Sequence, residues 1–238
     1  KMFDEIAASY GSEEVGLKRW TQAYLACVAA VDENVGQVMK ALDDIHLKDN
    51  TIVILASDHG FHMGEKDYLY KNSLWGKSTR VPLIMRVPGV TKASTSIDKA
   101  VSLIDVYPTL IDLCGLSSKT QKNEKGHSID GYSMRELLEN PTAKSWKGDR
   151  PALTVVYAGG KYKGKAEMQH YAIKTDRYRY ILYNNGREEL YDHQDDPNEW
   201  TNLVLSRDAD TSLLIDLRNK MSTMVAPIQL NGLKNKTL

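Results

Sequence analysis

Thr51-Ile52-Val53-Ile54-Leu55-Ala56-Ser57-Asp58-His59-Gly60 is the stretch that decides how the rest of the chain is read. Ile52 to Ala56 is an unbroken apolar run rich in β-branched residues, with Asp49-Asn50 before it and Ser57-Asp58-His59-Gly60 after it. Such a run predicts a short strand buried on both faces, the kind that parallel sheets contain. In an open α/β sheet the ligand crevice lies beyond the carboxyl ends of the strands, so the carboxylate of Asp58 and the imidazole of His59 stand where chemistry is done. Gly60 then lets the chain turn without a Cβ. An Asp oxygen is a hard ligand for a divalent cation, and an adjacent imidazole can join the same shell or move protons. The alternative reading of the dipeptide is a turn cap followed by a solvated histidine.

Working outward, the segment before the strand is helical. Trp20, Tyr24, Val28, Val31, Val35, Val38, Leu42 and Ile45 recur every three or four residues, with Lys18, Arg19, Asp32, Glu33, Gln37, Lys40 and Asp44 on the other side. An amphipathic helix leading into a buried strand predicts a crossover packed on its own sheet. After the strand, the loop from Phe61 to Gly76 has no period and contains His62, Glu65, Lys66 and Lys71. Val81-Pro82-Leu83-Ile84-Met85 predicts a second strand, ended by Pro88-Gly89. Ser102 and Asp105 fit a capping box for a helix that runs to Cys114 and stops at Gly115. His127 lies in a polar stretch and is expected to be solvated.

From about Pro151 the style changes. Leu153 to Tyr157, His170 to Lys174, Tyr178 to Tyr183 and Glu189 to Tyr191 are short β-rich runs separated by Gly159-Gly160, Asp176-Arg177 and Asn185-Gly186, which predicts an antiparallel sheet. A helical pattern through Leu213, Leu217 and Met221 would cover one face. The expected organisation is therefore an α/β domain over residues 1–150, with a mainly parallel sheet and flanking helices. A small antiparallel α+β annex follows over residues 151–238.

Composition narrows the function classes. The 238 residues carry 31 Lys plus Arg against 31 Asp plus Glu, so no global field gathers nucleic acid or an anionic membrane, and neither is an expected partner. No apolar run is long enough to span a bilayer, and Lys1-Met2-Phe3-Asp4 is not a basic-then-apolar leader. The two cysteines, Cys27 and Cys114, lie inside apolar helical patterns and are expected to be buried thiols.

Taken together, Asp58-His59-Gly60-Phe61-His62-Met63-Gly64-Glu65, Lys71 and Ser78-Thr79-Arg80-Val81-Pro82-Leu83-Ile84 resemble the sulfatase family of the alkaline-phosphatase-like superfamily, most of all the branch with iduronate and choline sulfatases. The resemblance continues in Asp105-Val106-Tyr107-Pro108-Thr109-Leu110, in Glu189-Leu190-Tyr191-Asp192-His193 and in Asp195-Asp196-Pro197-Asn198-Glu199 with Thr201-Asn202-Leu203. It implies hydrolysis of sulfate monoesters beside a divalent metal, Ca²⁺, by an aldehyde hydrate (formylglycine) made from a cysteine or serine. Position by position, Asp58 and His59 match metal ligands, and Lys71 matches the lysine that contacts the sulfate and takes part in catalysis. His62, in the same loop, is a substrate-binding candidate. The implied partner is a sulfated small molecule or carbohydrate, and the implied location periplasmic or secreted.

The chain departs from the family where Lys66-Asp67 and Gly76-Lys77 stand, which bears on the leaving group. A larger departure concerns the nucleophile. Neither Cys27 nor Cys114 begins the Cys-x-Pro-x-Arg pattern, no Ser-x-Pro-x-Arg occurs, and a first-strand Asp-Asp pair is missing. The expectation is a C-terminal portion of a sulfatase, inactive alone, whose missing N-terminal half was cut away, was never present, or is supplied by another chain. Two other classes stay open: a phosphoesterase or phosphomutase of the same superfamily, which places an Asp-His pair after a buried strand, and a non-catalytic module that binds sugar sulfates, which the missing nucleophile would explain.

Overall fold

The computed structural model describes residues 2–121, 123–160, 164–206 and 210–225, which form two compact units. The first contains residues up to Ser73 together with Lys77–Thr91. The second contains Leu74–Gly76 and the residues from Lys92 onward.

In the first unit, α1 (Met2–Ser9) is followed by α2 (Glu13–Asp44). Ser12 caps α2 by accepting from the Val15 N–H at 3.3 Å, and Glu13 and Glu14 place negative charge at the positive end of the helix. Ion pairs four residues apart, Lys18 with Glu14 and Lys40 with Asp44, support its wet side. The left-handed His46 (φ 58°) lies just beyond its end. Strand β1 (Val53–Ala56) then pairs with β2 (Leu83–Arg86), and the short helical turn α3 (Gly76–Thr79) lies between them in sequence.

Strand direction departs from the expectation. β1 and β2 are antiparallel, with Val53 opposite Arg86 and Ala56 opposite Leu83, so the described sheet in this unit is a two-stranded ribbon. An apolar run reports how much of a strand is to be covered and says nothing of the sense of its neighbour. The long connection between the two strands permits either sense. Burial departs as well: Leu55 is 37 % exposed and Ile84 60 %. The stripe on α2, expected to pack on a sheet, is also open, with Val38 61 % exposed and Tyr24, Val28 and Val31 exposed with it. Periodicity thus located an apolar face whose covering layer is not among the described residues. Cys27 and Cys114 are exposed rather than buried. Cys27 shares α2 with those open positions, and Cys114 is the terminal cap of a later helix.

The second unit follows its sequence closely. Ser102 donates its N–H to Asp105 at 2.8 Å ahead of α4 (Val106–Leu113), and Gly115 takes the left-handed φ of 62° that ends it. After α5 (Arg135–Glu139), four strands form an antiparallel meander in chain order: β3 (Ala152–Val156), β4 (His170–Lys174), β5 (Tyr178–Leu182) and β6 (Glu188–Asp192). The β5–β6 turn uses Gly186 at φ 79°. Alternation assigns the faces. Tyr171, Ile173, Tyr180, Leu182 and Leu190 pack under Leu214, Leu217 and Met221 of α6 (Thr211–Ser222), whereas Ala172, Ile181 and Tyr191 face the other way, against Leu74. Asp210 starts α6 by accepting from the N–H groups of Ser212 and Leu213. The compositional change at Pro151 marks the first strand of this sheet, while the division between compact units lies at Thr91–Lys92.

Leu74–Gly76 is held by the sheet and the loop after it. Arg179 Nη1 donates to the Leu74 carbonyl at 3.3 Å, Trp75 Nε1 to Glu189 at 2.7 Å, and the Gly76 N–H to Glu199 at 2.8 Å. Glu199 is buried at a left-handed φ of 62°, and its carboxylate also meets His193 Nε2 and Arg179 Nε, each at 2.7 Å. The Arg179 Nε–H is not aligned as a hydrogen bond, so that contact is an ion pair. Burial pushes the Glu199 carboxyl up, but His193, the Arg179 charge and the Gly76 N–H outweigh it and hold it below the usual range.

Two further carboxylates are depressed in the same unit. Arg177 Nε bonds Asp192 at 2.8 and 2.9 Å and holds it down. At Glu188 burial works upward but is overcome by Arg218, at 2.7 Å through Nε, and by the Tyr180 hydroxyl. A carboxyl whose folded pKa lies below its unfolded value stabilises the fold above the unfolded pKa, and that contribution is lost as pH falls through the folded one. The second unit is therefore expected to lose its near-ultraviolet circular dichroism below about pH 4. Arg218→Ala should move that midpoint to higher pH; an unmoved midpoint would remove Glu188 from the account.

Candidate functional site

β1 delivers the chain to the site, and backbone bonds fix the residues just beyond it. The Ser57 N–H donates to the Pro82 carbonyl at 3.3 Å, and the Ser57 hydroxyl to the His59 carbonyl at 2.8 Å. The Asp58 side chain is left 87 % exposed. His59 Nδ1 lies 2.8 Å from the Gly60 carbonyl, which can only accept, so Nδ1 carries the proton and the Nε2 lone pair points away from the backbone. Lys71 Nζ lies 2.7 Å from that Nε2, and Asp58 Oδ1 is 3.7 Å from it. Asp58, His59 and Lys71 thus meet around one atom.

Gly60 makes this packing possible. Its N–H donates to the Ser78 carbonyl at 2.8 Å, and a Cβ built on it would lie 2.0 Å from the Lys77 carbonyl oxygen. Beyond it the chain goes out and returns: the His62 N–H donates to the Tyr70 carbonyl at 2.9 Å and the Gly64 N–H to the Tyr68 carbonyl at 3.1 Å. Gly64, Lys66 and Asp67 turn the tip with φ of 118°, 57° and 53°. Phe61 ties the loop to α2 through ring contacts with Trp20 at 6.5 Å and Tyr24 at 6.3 Å, and packs edge-on to Tyr70 at 6.3 Å.

His62 is a correction to the sequence reading. It was expected to reach substrate, but its side chain is 1 % exposed, with Nε2 3.0 Å from the Ser73 hydroxyl and its ring edge-on to Tyr68. The returning limb of the loop, with Tyr68 against the ring and the Tyr70 carbonyl on the His62 N–H, encloses it. Sequence reasoning gave no part to Ser73 and Ser78, two small hydroxyl residues among many. Yet Ser73 Oγ donates to Ser78 Oγ at 2.8 Å next to the site. Their signal is visible only once the loop closes. Glu65 accepts from the Met63 N–H at 2.8 Å and lies 3.8 Å from Lys77, so it serves the loop itself.

The donors suit a hard divalent cation. Asp58 offers an exposed carboxylate, and the Nδ1–H bond from His59 to a carbonyl is the arrangement that orients a ligating imidazole. Among the described residues no group of three or more His, Cys, Asp or Glu side chains converges, so Asp58 and His59 alone are too few donors to complete a shell. No described helix is long and apolar enough to cross a membrane.

Comparison with known proteins places these features in a family. A family model described as "Sulfatase" matches residues 4–116, and one described as "N-sulphoglucosamine sulphohydrolase, C-terminal" matches residues 64–226. Over 185 residues the chain is 38% identical to a sulfatase of Formosa agariphila, covering 78% of this chain and 32% of that protein. It is 33% identical over 192 residues to an N-acetylglucosamine-6-O-sulfatase of Bacteroides thetaiotaomicron, again covering 78% and 32%. The chain thus spans about a third of the length of these curated relatives. Among solved structures, one in complex with its substrate D-glucosamine-2-N,6-O-disulfate superposes with a TM-score of 0.70 at 28% identity, covering 88% of this chain and 41% of that one. A phosphonate monoester hydrolase of Agrobacterium radiobacter gives 0.70 at 27% identity, covering 92% and 42%. The architecture is therefore that of the alkaline-phosphatase-like sulfatases. One family model takes in Asp58, His59 and Lys71 and the other more than half of the residues, and on that footing the chain belongs to the sulfatase family.

Proposed function

We propose that this chain is the cation-binding and anion-binding part of a sulfuric ester hydrolase that acts on sulfated sugars. The observation that carries the reading is the meeting of Lys71 Nζ, His59 Nε2 and Asp58 within 3.7 Å at the end of β1. Asp58 and His59 would hold the divalent ion, Ca²⁺, which when bound supplies electrostatic stabilisation of the sulfuryl oxygens. Lys71 would swing from His59 to those oxygens, where an ammonium favours the charge that builds as the S–O bond breaks. The sugar preference is supported by the N-acetylglucosamine-6-O-sulfatase relative and by the disulfated glucosamine in the related structure.

The attacking group would come from outside residues 1–238, because these contain neither Cys-x-Pro-x-Arg nor Ser-x-Pro-x-Arg. The same further part of the domain would cover α2, Leu55 and Ile84 and add parallel neighbours to β1. The exposure of those side chains supports this.

The test is an assay of purified 1–238 on an aryl sulfate and an aryl phosphate with excess Ca²⁺, alone and mixed with a separately produced N-terminal portion bearing formylglycine. Sulfate turnover is expected only in the mixture. Lys71→Ala should weaken inorganic sulfate binding by about tenfold to a hundredfold, the size of a charge-assisted contact. Turnover by the isolated chain that vanishes on Asp58→Ala would defeat the reading. Faster hydrolysis of the phosphate would favour the second reading, a phosphoester or phosphonate ester hydrolase, which the Agrobacterium radiobacter likeness keeps in view.

A further inference from the structure

We propose that His62, though shut away from solvent, is a positioning residue that sets Lys71 against His59. Its backbone N–H holds the Tyr70 carbonyl at 2.9 Å, one residue before Lys71, and its Nε2 holds the Ser73 hydroxyl at 3.0 Å, two residues after. Lys71 is therefore bracketed by bonds to a single buried residue. The circuit then closes on the other half of the site. Ser73 Oγ donates to Ser78 Oγ at 2.8 Å, which leaves the Ser73 oxygen to accept from His62 Nε2–H, and the Ser78 carbonyl accepts the Gly60 N–H at 2.8 Å. Gly60 directly follows Asp58 and His59. One run of hydrogen bonds, Gly60 to Ser78 to Ser73 to His62 to Tyr70, spans from the metal-binding pair to the anion-binding lysine.

The arrangement answers a physical need. Lys71 is a long side chain on a loop, and an unsupported loop would spread its ammonium over several ångströms. A supporting residue with locked packing narrows that spread, and a displacement near 1 Å is costly for a site that must place charge. His62 is held by its packing: its side chain is 1 % exposed and edge-on to Tyr68 with ring centroids 5.3 Å apart. The role of Lys71 in this inference rests on the sulfate-binding reading above.

The experiment separates the two. His62→Phe keeps the ring packing and removes the bond to Ser73, whereas His62→Gln can restore a donor near the Nε2 position. Side-chain ¹⁵N spectra of the 238-residue chain report Lys71 without any ligand, because His59 Nε2 accepts its hydrogen bond. In His62→Phe the His59 Nε2 resonance is expected to move downfield toward that of a free imidazole nitrogen, and inorganic sulfate affinity to fall about tenfold or more. His62→Gln should return both toward the wild type. Ser73→Ala, a smaller change, should reproduce the His62→Phe shift and covers the case in which that variant fails to fold. An unmoved His59 resonance in folded His62→Phe or Ser73→Ala overturns the positioning role. A moved resonance in a chain that binds no sulfate upholds the positioning of Lys71 and overturns the sulfate reading alone.

Discussion

With alanine at position 199 the second unit is expected to lose about 3–5 kcal/mol of stability, measured by urea unfolding. Glu199 is the counter-charge of Arg179, and both side chains are almost fully buried. Truncation strands the guanidinium, whose charge burial already disfavours. It also takes the acceptor from the Gly76 N–H and from His193. The loss should be smaller in the double variant Arg179→Met/Glu199→Leu, because no unpaired charge remains and only neutral groups lose partners. A single variant that costs less than about 1 kcal/mol would mean that solvent reaches Arg179 and that the buried pair is not as described.

Alanine at Gly60 should cost the first unit about 3 kcal/mol or more, at the upper end of overpacking effects. The added methyl would lie 2.0 Å from the Lys77 carbonyl oxygen and 3.3 Å from that of Arg80, and backbone atoms cannot rotate aside as a flexible side chain can. Relief requires the α3 turn to move, which breaks the Gly60 to Ser78 bond and shifts His59 with it. Gly36, in the middle of α2 with nothing within 4 Å of its built Cβ, is the control. There alanine should stabilise by about 0.5–1 kcal/mol through helix propensity alone. Equal effects at the two positions would contradict the close approach at Gly60.

The contrast between these two glycines shows what the sequence makes legible. A glycine after a buried strand signals a turn, but the backbone that crowds Gly60 is a segment that only the folded loop brings there. The motif that follows β1 in sequence contains Asp58, His59 and Lys71, and the structure brings these three side chains together around His59 Nε2. His62 was misjudged for a physical reason: a histidine in a loop beside a site reads as a ligand, and only the return of Tyr68 and Tyr70 over it shows that it is enclosed. The antiparallel sheet from Ala152 is legible because alternation and tight turns are local signals, as in the faces of β4 and β5. The part before it is less so. The direction of β2 and the covering of α2 depend on neighbours that neither periodicity nor propensity encodes.

In the proposed function Asp58, His59 and Lys71 form one site for a divalent cation and a sulfate ester. Its most direct test is calorimetric titration of the chain with glucosamine 6-sulfate and glucosamine 6-phosphate, each with and without Ca²⁺. The sulfated sugar is expected to bind more tightly when Ca²⁺ is present, and Asp58→Ala to remove the Ca²⁺ dependence. Lys71→Ala should weaken binding in both conditions. Binding indifferent to Lys71→Ala, or a preference for the phosphorylated sugar with or without Ca²⁺, would contradict it.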